Sequence, residues 1–383
     1  MAEIAEPIPQ PKTVVDEPES TVGELSQWQL MRLRFMRNKL AMTGMIGLII
    51  MYILVFLGPF IAPNEFMTNN NDYTFGGPSN ITFIGPNGRF GLQPYLYPMT
   101  TVLNRKDLTF DMVLDKTKRI PIKFFVKGDP IVLFGFIHTD MHLFGVEPPN
   151  NIYLIGADAV GRDMLARLLV GGQISMTIGL VGVALSIIFG SIMGTISGFY
   201  MGLGDDIIQR IIEVIMSFPT VPLWAALAAA LPPISSSFTP IHRYFLITVV
   251  LSLIGWTGLA RQLRAKVMAY RGADFVNASL AAGASDMRII MVHMLPNAAS
   301  HIIVTAALSI PGMILGETAL SFLGLGIVPP MVSWGALLRD AQKVTVIIQH
   351  PWLMLPGVAV IIAVLLFSFL GDGIRDAMDP YSI

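Results

Sequence analysis

Two histidines four residues apart with a carboxylate between them, His138-Thr-Asp-Met-His142, are the side chains whose types and spacing best suit a divalent metal. That spacing puts both imidazoles on one face only in a helix. The flanking residues read as strand and turn, no third ligand stands nearby, and the glutamate of a zinc-protease signature is missing. His138 and His142 are therefore weak metal candidates, better read as solvated or packed histidines. The chain has no cysteine, which removes thiol nucleophiles, thiolate metal sites and disulfides. Neither Gly-x-Ser-x-Gly nor His-Glu-x-x-His occurs, and no Gly-x-x-x-x-Gly-Lys-[Ser/Thr] loop is present to cradle ATP. The sequence reads as that of a non-enzyme that needs no cofactor.

One acid stands apart. Glu317 falls in the apolar stretch 298–326, about twenty residues beyond its start, which at 1.5 Å per residue places it close to the far membrane interface. Two roles fit that position, gating of a pathway and simple interfacial hydration. The elements that must position it are set by composition. Only 13% of the 383 residues are charged and 53% are hydrophobic, where soluble domains carry about 25% charged residues. This is the composition of a membrane chain. The 25 Lys and Arg nearly balance the 26 Asp and Glu, so no basic field exists to hold nucleic acid. Charge-free runs over 41–62, 168–204, 214–241, 244–260 and 351–371, with the interrupted run 298–326, predict six transmembrane helices.

Residues 1–26 are acidic and proline-rich, lack the features of a signal peptide, and are expected to be a disordered cytoplasmic tail. Residues 27–62 hold an amphipathic basic segment and the first span. Its four charges, Arg32, Arg34, Arg37 and Lys39, place the N-terminus in the cytoplasm, and the segment either lies in the headgroup layer or braces a cytoplasmic partner. An even number of spans returns the C-terminus to the same side. Residues 63–154, with eight basic and eight acidic residues, form an external insert. Runs 120–126 and 131–137, separated by Lys127-Gly-Asp-Pro130, read as short strands around a turn, so the insert is expected to be small and β-rich. Residues 155–383 form the core with spans two to six.

Within the second span Gly182, Ser186, Gly190, Gly194, Gly198 and Gly202 recur every fourth residue. Such a stripe lets helix backbones approach closely, and it also leaves room for a solute in a pore. Ser217-Phe-Pro219, Pro222, Leu231-Pro-Pro233 and Pro311 predict broken or kinked helices, which persist in a membrane only where protein or a watery cavity satisfies the freed backbone groups. The cytoplasmic loop 261–297 carries Arg261, Arg264, Lys266, Arg271 and Arg288 against Asp274 and Asp286. Its stretch 273–297 reads as two short helices and a corner. Asp274 caps the first, Ala278, Ser279, Ala281 and Ala282 give it a nearly side-chain-free surface, Gly283 supplies a left-handed turn, Ser285 caps the second, and Pro296 bars that helix from continuing through it without loss of a backbone hydrogen bond.

This stretch resembles the "EAA" loop of binding-protein-dependent ABC importers. Asn277-Ala278-Ser279 occupies the Glu-Ala-Ala place, Gly283 the glycine and His293-Met-Leu-Pro-Asn297 the ending. Gly161-Arg-Asp163 with Arg167, Gly198-Phe-Tyr with Asp205 and Arg210, the stretch Gly316-Glu-Thr-Ala-Leu-Ser-Phe-Leu-Gly-Leu-Gly326 with Ser333-Trp-Gly335, and Gly371-Asp-Gly-Ile-Arg-Asp-Ala-Met-Asp-Pro380 resemble the dipeptide, oligopeptide and nickel permeases. The resemblance covers about 27–67 and 151–383 and leaves the insert out. It implies an all-α polytopic inner-membrane protein with six transmembrane helices of the type I ABC importer permease kind. The partners it implies are a paralogous permease subunit, two ATP-binding subunits, an external solute-binding protein and the lipid bilayer. It further implies ATPase coupling through Asp274, Asn277, Ala278, Ser279, Ala282, Gly283, Ala284, Asp286 and Pro296, with helix packing at Gly190, Gly194, Gly198 and Gly202. Asn277 and Ser279 depart from the pattern, and the lost carboxylate removes any salt bridge made from that position. Peptides or peptide-like solutes are the expected cargo, nickel or a nickel chelate the alternative. An ion-coupled secondary transporter would need buried acids or histidines near mid-bilayer.

Overall fold

The structure is a computed structural model that describes residues 26–84, 90–104 and 109–379. The expected tail lies outside them except for Ser26. That serine caps α1 (Gln27–Arg37), and Asn38 then ends α1 and caps α2 (Lys39–Phe56), accepting from the N–H groups of Leu40 and Ala41. α1 rests against the far end of its own chain, where Arg34 donates to the carbonyl of Asp379 at 2.6 Å and Asn38 to the Asp376 carboxylate at 3.2 Å. The short α3 (Gly58–Ile61) leads out of the first span.

The insert is antiparallel throughout. β1 (Asn80–Ile84), β2 (Phe90–Tyr97) and β5 (Ile120–Pro121) form one sheet, β3 (Met99–Asn104) and β4 (Thr109–Leu114) a hairpin, and β6 (Lys123–Leu133) and β7 (Ile137–Gly145) another. The expected turn at Lys127-Gly-Asp-Pro130 is misplaced. Those residues make an irregularity inside β6, and the chain reverses at Phe134-Gly135, where both residues have positive φ. Pro130 lacks an N–H, which weakens the ladder there without ending it.

α4 (Met164–Tyr200) has 37 residues and is about 55 Å long. The third span is broken where Ser217-Phe-Pro219 predicts it: α5 (Gly202–Met216) and α6 (Thr220–Ala229) meet at 89°. Pro219, at the N-cap of α6, has no N–H to continue α5, and its ring disfavours helical geometry at Phe218. α7 (Pro240–Arg271) extends past the charge-free run at both ends. Arg243 is tolerated in its first turn because it donates to the carbonyls of Gly326 and Leu325, both at 2.8 Å.

After α8 (Asp274–Ala281) come α9 (Asp286–Arg288), a π-helical turn over Ile289–Met294, and α10 (Leu295–Phe322). These last three form one 37-residue run, so Pro296 does not stop the helix. The π turn shifts the hydrogen-bond register just before the position where proline has no N–H to give. Pro311 likewise sits inside α10 without ending it. α11 (Trp334–Leu338), α12 (Val344–Gln349) and α13 (Leu355–Met378) complete the chain. Among the described residues five helices are long and apolar enough to cross a membrane, six if the bent pair is one span. The chain is thus a mostly helical polytopic membrane protein with a small β insert between its first two spans. α4 and α10 are central to it: one apolar cluster joins them to α2, α11 and α13 through Leu48, Met176, Ile314 and Phe367, and a second joins them to α6 and α7 through Ile178, Leu251 and Met313.

Candidate functional site

The residues singled out in the loop fall on α8 and the turn after it, except Asp286, which begins α9, and Pro296, which lies in the first turn of α10. α8 ends by donating the Gly283 N–H to the Leu280 carbonyl at 2.9 Å and the Ala284 N–H to the Ser279 carbonyl at 3.0 Å. This pair of bonds demands a left-handed residue, and Gly283 has φ +77°. The capping roles expected of Asp274 and Ser285 do not hold. Asp274 is the first residue of α8, behind Ala273 at the N-cap, and Ser285 occupies the next N-cap without a side-chain bond. α8 is exposed except for Val276, which is fully buried against Leu263, Val267, Ile289 and Met294. Asn277, Ala278 and Ala282 face solvent, with Ser279 and Ala284 half-buried. Leu280, Met287, Met291 and Val292 add exposed apolar side chains beside them.

α7 carries this platform to the membrane and α4 is locked to α7. A Cβ added to Gly190 would stand 2.8 Å from the Trp256 carbonyl oxygen, one on Gly194 2.5 Å from that of Ala260, and one on Gly198 2.6 Å from that of Arg264. These glycines lie against the α7 backbone, not around an open channel. Gly202 does not share the seam: it follows the end of α4 with φ +66°, and a Cβ there would meet nothing within 4 Å. At the same end Arg264 grips Asp205 bidentately, Nε to Oδ1 at 2.6 Å and Nη2 to Oδ2 at 2.5 Å. Ser197 also donates to Asp205, and Gln209 donates to the Ser197 hydroxyl at 2.9 Å. The clasp joins α4, α5 and α7. Asp205 was visible in the sequence as a motif residue, but its partner lies 59 positions away.

Glu317 is not at a hydrated interface. It is wholly buried, accepting from Ser175 of α4 at 2.9 Å and from Ser321, one turn on, at 2.6 Å. The Trp334 N–H donates to the same Ser175 hydroxyl at 3.1 Å, so the acid sits where α4, α10 and the start of α11 converge. Nearby, α4, α6, α7 and α10 enclose a cleft of about 290 Å³ lined by Ser186, Thr220, Trp224, Thr305, Ser309 and Met313 among others. All of these are uncharged.

His138 and His142 lie on a strand. His142 is buried, with Nδ1 2.6 Å from the Ala62 carbonyl oxygen and Nε2 3.0 Å from that of Asp129, while His138 is exposed opposite Val132. No group of three possible metal ligands occurs among the described residues. A buried charge cluster that sequence reasoning did not assign stands where the insert joins α4. Asp158 accepts from Arg162 Nε at 2.8 Å and pairs with Arg167, and Asp163 caps α4 while Asn64 donates to it at 3.0 Å. Burial pushes the Asp163 carboxyl up from 3.8 to about 7.

Residues 186–381 match the family described as the binding-protein-dependent transport system inner membrane component. The chain belongs to this family. Residues 26–78 of the permease also match the N-terminal transmembrane domain of oligopeptide transport permease C. The oligopeptide transport system permease protein OppC of Haemophilus influenzae is 36% identical over 64% of this chain and 76% of its own length. OppC of Bacillus subtilis is 34% identical over 61% of this chain and 73% of its own, and the glutathione transport system permease protein GsiD of Pectobacterium atrosepticum 33% over 61% and 74%. Among solved structures, an inward-facing MetNI methionine ABC transporter chain aligns with 56% of the permease and 98% of itself, at 18% identity and a TM-score of 0.44.

Proposed function

We propose that this permease forms half of the translocation pathway of an ATP-driven importer for peptides or peptide-like solutes, with α8 as the surface that docks on the ATPase. The observation that carries the reading is α8 itself, a short helix held by one buried valine and closed by Gly283, which leaves Asn277, Ala278 and Ala281 exposed. A small-residue helix buries little area alone and fits the groove of a partner. Through α7, the glycine seam and the Asp205–Arg264 clasp, a push on α8 moves α4, α5 and α7 together, which is the rigid-body rocking that alternating access requires. Glu317 is the proposed gating residue, since relative movement of α4 and α10 must break its bond to Ser175. Family membership supports two ATPase subunits, a second and paralogous permease, and an external binding protein as partners. In this reading α8 and both termini face the cytoplasm and the insert faces outside.

The cargo assignment rests on the relatives named for oligopeptide and glutathione transport and on the uncharged cleft. Hydroxyls, an indole and a thioether suit a neutral chain of varied sequence. The experiment is ATP-driven uptake of labelled peptide together with co-purification of the ATPase. Gly283→Val, whose branched side chain is strained at positive φ, is expected to abolish both while membrane insertion survives. Gly283→Asn, which tolerates that conformation, should retain much of both. Unchanged uptake in Gly283→Val would remove α8 as the coupling surface. Asn277→Glu is expected to be tolerated; severe loss would show a partner groove rebuilt around the amide.

A further inference from the structure

The β6–β7 hairpin has a charged base and an apolar tip. At the base Lys123 pairs with Glu147 at 2.5 Å and Lys127 with Asp140 at 3.3 Å. At the tip Phe134, Phe136 and Ile137 are all exposed, Phe136 to 73%. The tip is also strained. Phe134 has φ +54° and Gly135 φ +80°, and the Phe136 N–H donates to the Leu133 carbonyl at 3.2 Å. Three residues, 134–136, separate the paired Leu133 and Ile137, and a turn with positive φ at both central positions favours Asn, Asp or Gly there, so phenylalanine occupies the first at a conformational cost. Backbone strain at a large exposed aromatic directs attention to what that ring touches.

Its neighbours fix the depth of the tip. In the lower half of the hairpin His142 bonds the Ala62 carbonyl and the Phe125 ring lies 6.4 Å from that of Phe60, while at the tip Phe134 stacks on Phe56 at 6.5 Å. The lower half therefore sits at the exit of the first span and the tip reaches back onto the last turn of α2. Phe134, Tyr52, Ile53, Phe56 and Leu57 line an apolar groove of about 430 Å³. Tyr52 lies one turn, about 6 Å, inside the end of α2. The groove continues the exposed apolar face of Ile46, Ile49, Ile50 and Ile53 on the same helix, the face a membrane-spanning α2 turns to lipid.

We propose that the tip of the β6–β7 hairpin is inserted in the bilayer leaflet on the insert's side, and that lipid acyl chains fill the groove between it and α2. An acyl chain matches a groove without a charged lining residue that opens onto a lipid-facing helix. Lys123 and Lys127 then stand at the level of the headgroups, where long basic side chains reach water and phosphate. The insert is thus a membrane-bound element, with one hairpin immersed and the other strands in solvent.

The absence of cysteine makes the test direct, because one introduced cysteine is the only labelling site in the chain. The full-length permease carrying Phe136→Cys with a nitroxide label is reconstituted in phosphatidylcholine liposomes, with Lys127→Cys as the comparison. Collision rates with molecular oxygen and with a water-soluble nickel chelate are then measured. The ratio of oxygen to nickel accessibility is expected to be several-fold higher at 136 than at 127. Val132→Cys, on the same hairpin, gives an intermediate value and serves if the Phe136 variant does not fold. Nickel accessibility at 136 equal to that at 127 would place the tip in water, and exclusion of both reagents would place it against protein; either result overturns the proposal.

Discussion

The two ends of α4 dispose of their polar and apolar groups in opposite ways. Where the insert joins, the chain closes on itself: Asp158 accepts from the backbone of Val160 and Arg162 at 2.9 Å and from the Arg162 side chain and pairs with Arg167, and Asn64 and Asp163 tie the exit of the first span to the start of the second. At the far end α8 has no side-chain cap and one buried residue, Val276. Its apolar neighbours Met287 and Met291 stand in solvent. The first end is tied together by buried charges; the second has its own Asp205–Arg264 clasp but leaves α8 outside it, exposed, as the proposed docking surface. The glycine seam between them makes α4 and α7 one lever, so what docks on one end is felt at the other.

If buried charges tie the insert end together, breaking them must cost most in stability. Arg167→Met leaves the buried Asp158 with one cation fewer and is expected to cost about 3 kcal/mol, read as a large fall in melting temperature in detergent. Gly194→Val tests the lever. Its Cβ would stand 2.5 Å from the Ala260 oxygen, so α4 and α7 must separate at a cost of about 1–3 kcal/mol, whereas Gly204→Ala, with nothing within 4 Å, should be neutral or slightly stabilising. Val276→Ala sharpens the contrast. It removes buried methyl groups worth about 1–2 kcal/mol and should lower uptake more than it lowers the melting temperature if α8 is the docking surface proposed above. The last effect is in pH and is confined to a single carboxyl. Burial holds the folded Asp163 carboxyl at about 7 against 3.8 unfolded, so its contribution is fully present below about pH 4 and is lost as pH rises through 7. Asp163→Asn, which still caps α4, is expected to flatten that dependence, and a mutation at α8 is expected to leave it intact.

The sequence made the spans legible because a bilayer demands long uncharged runs, and it showed the loop because Gly283 and the alanines around it are unusual outside a tight turn and a bare helix. What it hid depended on partners far along the chain. Glu317 looked interfacial when counted from the start of its span, yet Ser175 and Trp334 close over it from other elements. In the third span the prolines showed that a break falls at Ser217-Phe-Pro219, but its angle of 89° could not be read from them. In the insert Lys127-Gly-Asp-Pro130 has the composition of a turn, while the reversal falls on Phe134-Gly135, which local preference would not choose.

The central claim is that the α8 end of the molecule is the one that receives the ATPase. Cysteine cross-linking from a background free of native cysteine measures this directly. Ala281→Cys on α8 is expected to form a cross-link to the ATPase subunit in the assembled importer, with a yield that changes when ATP is bound, while Lys127→Cys on the insert forms none. Absence of any cross-link from 281 in a complex that transports, or an equal yield from 127, would contradict it.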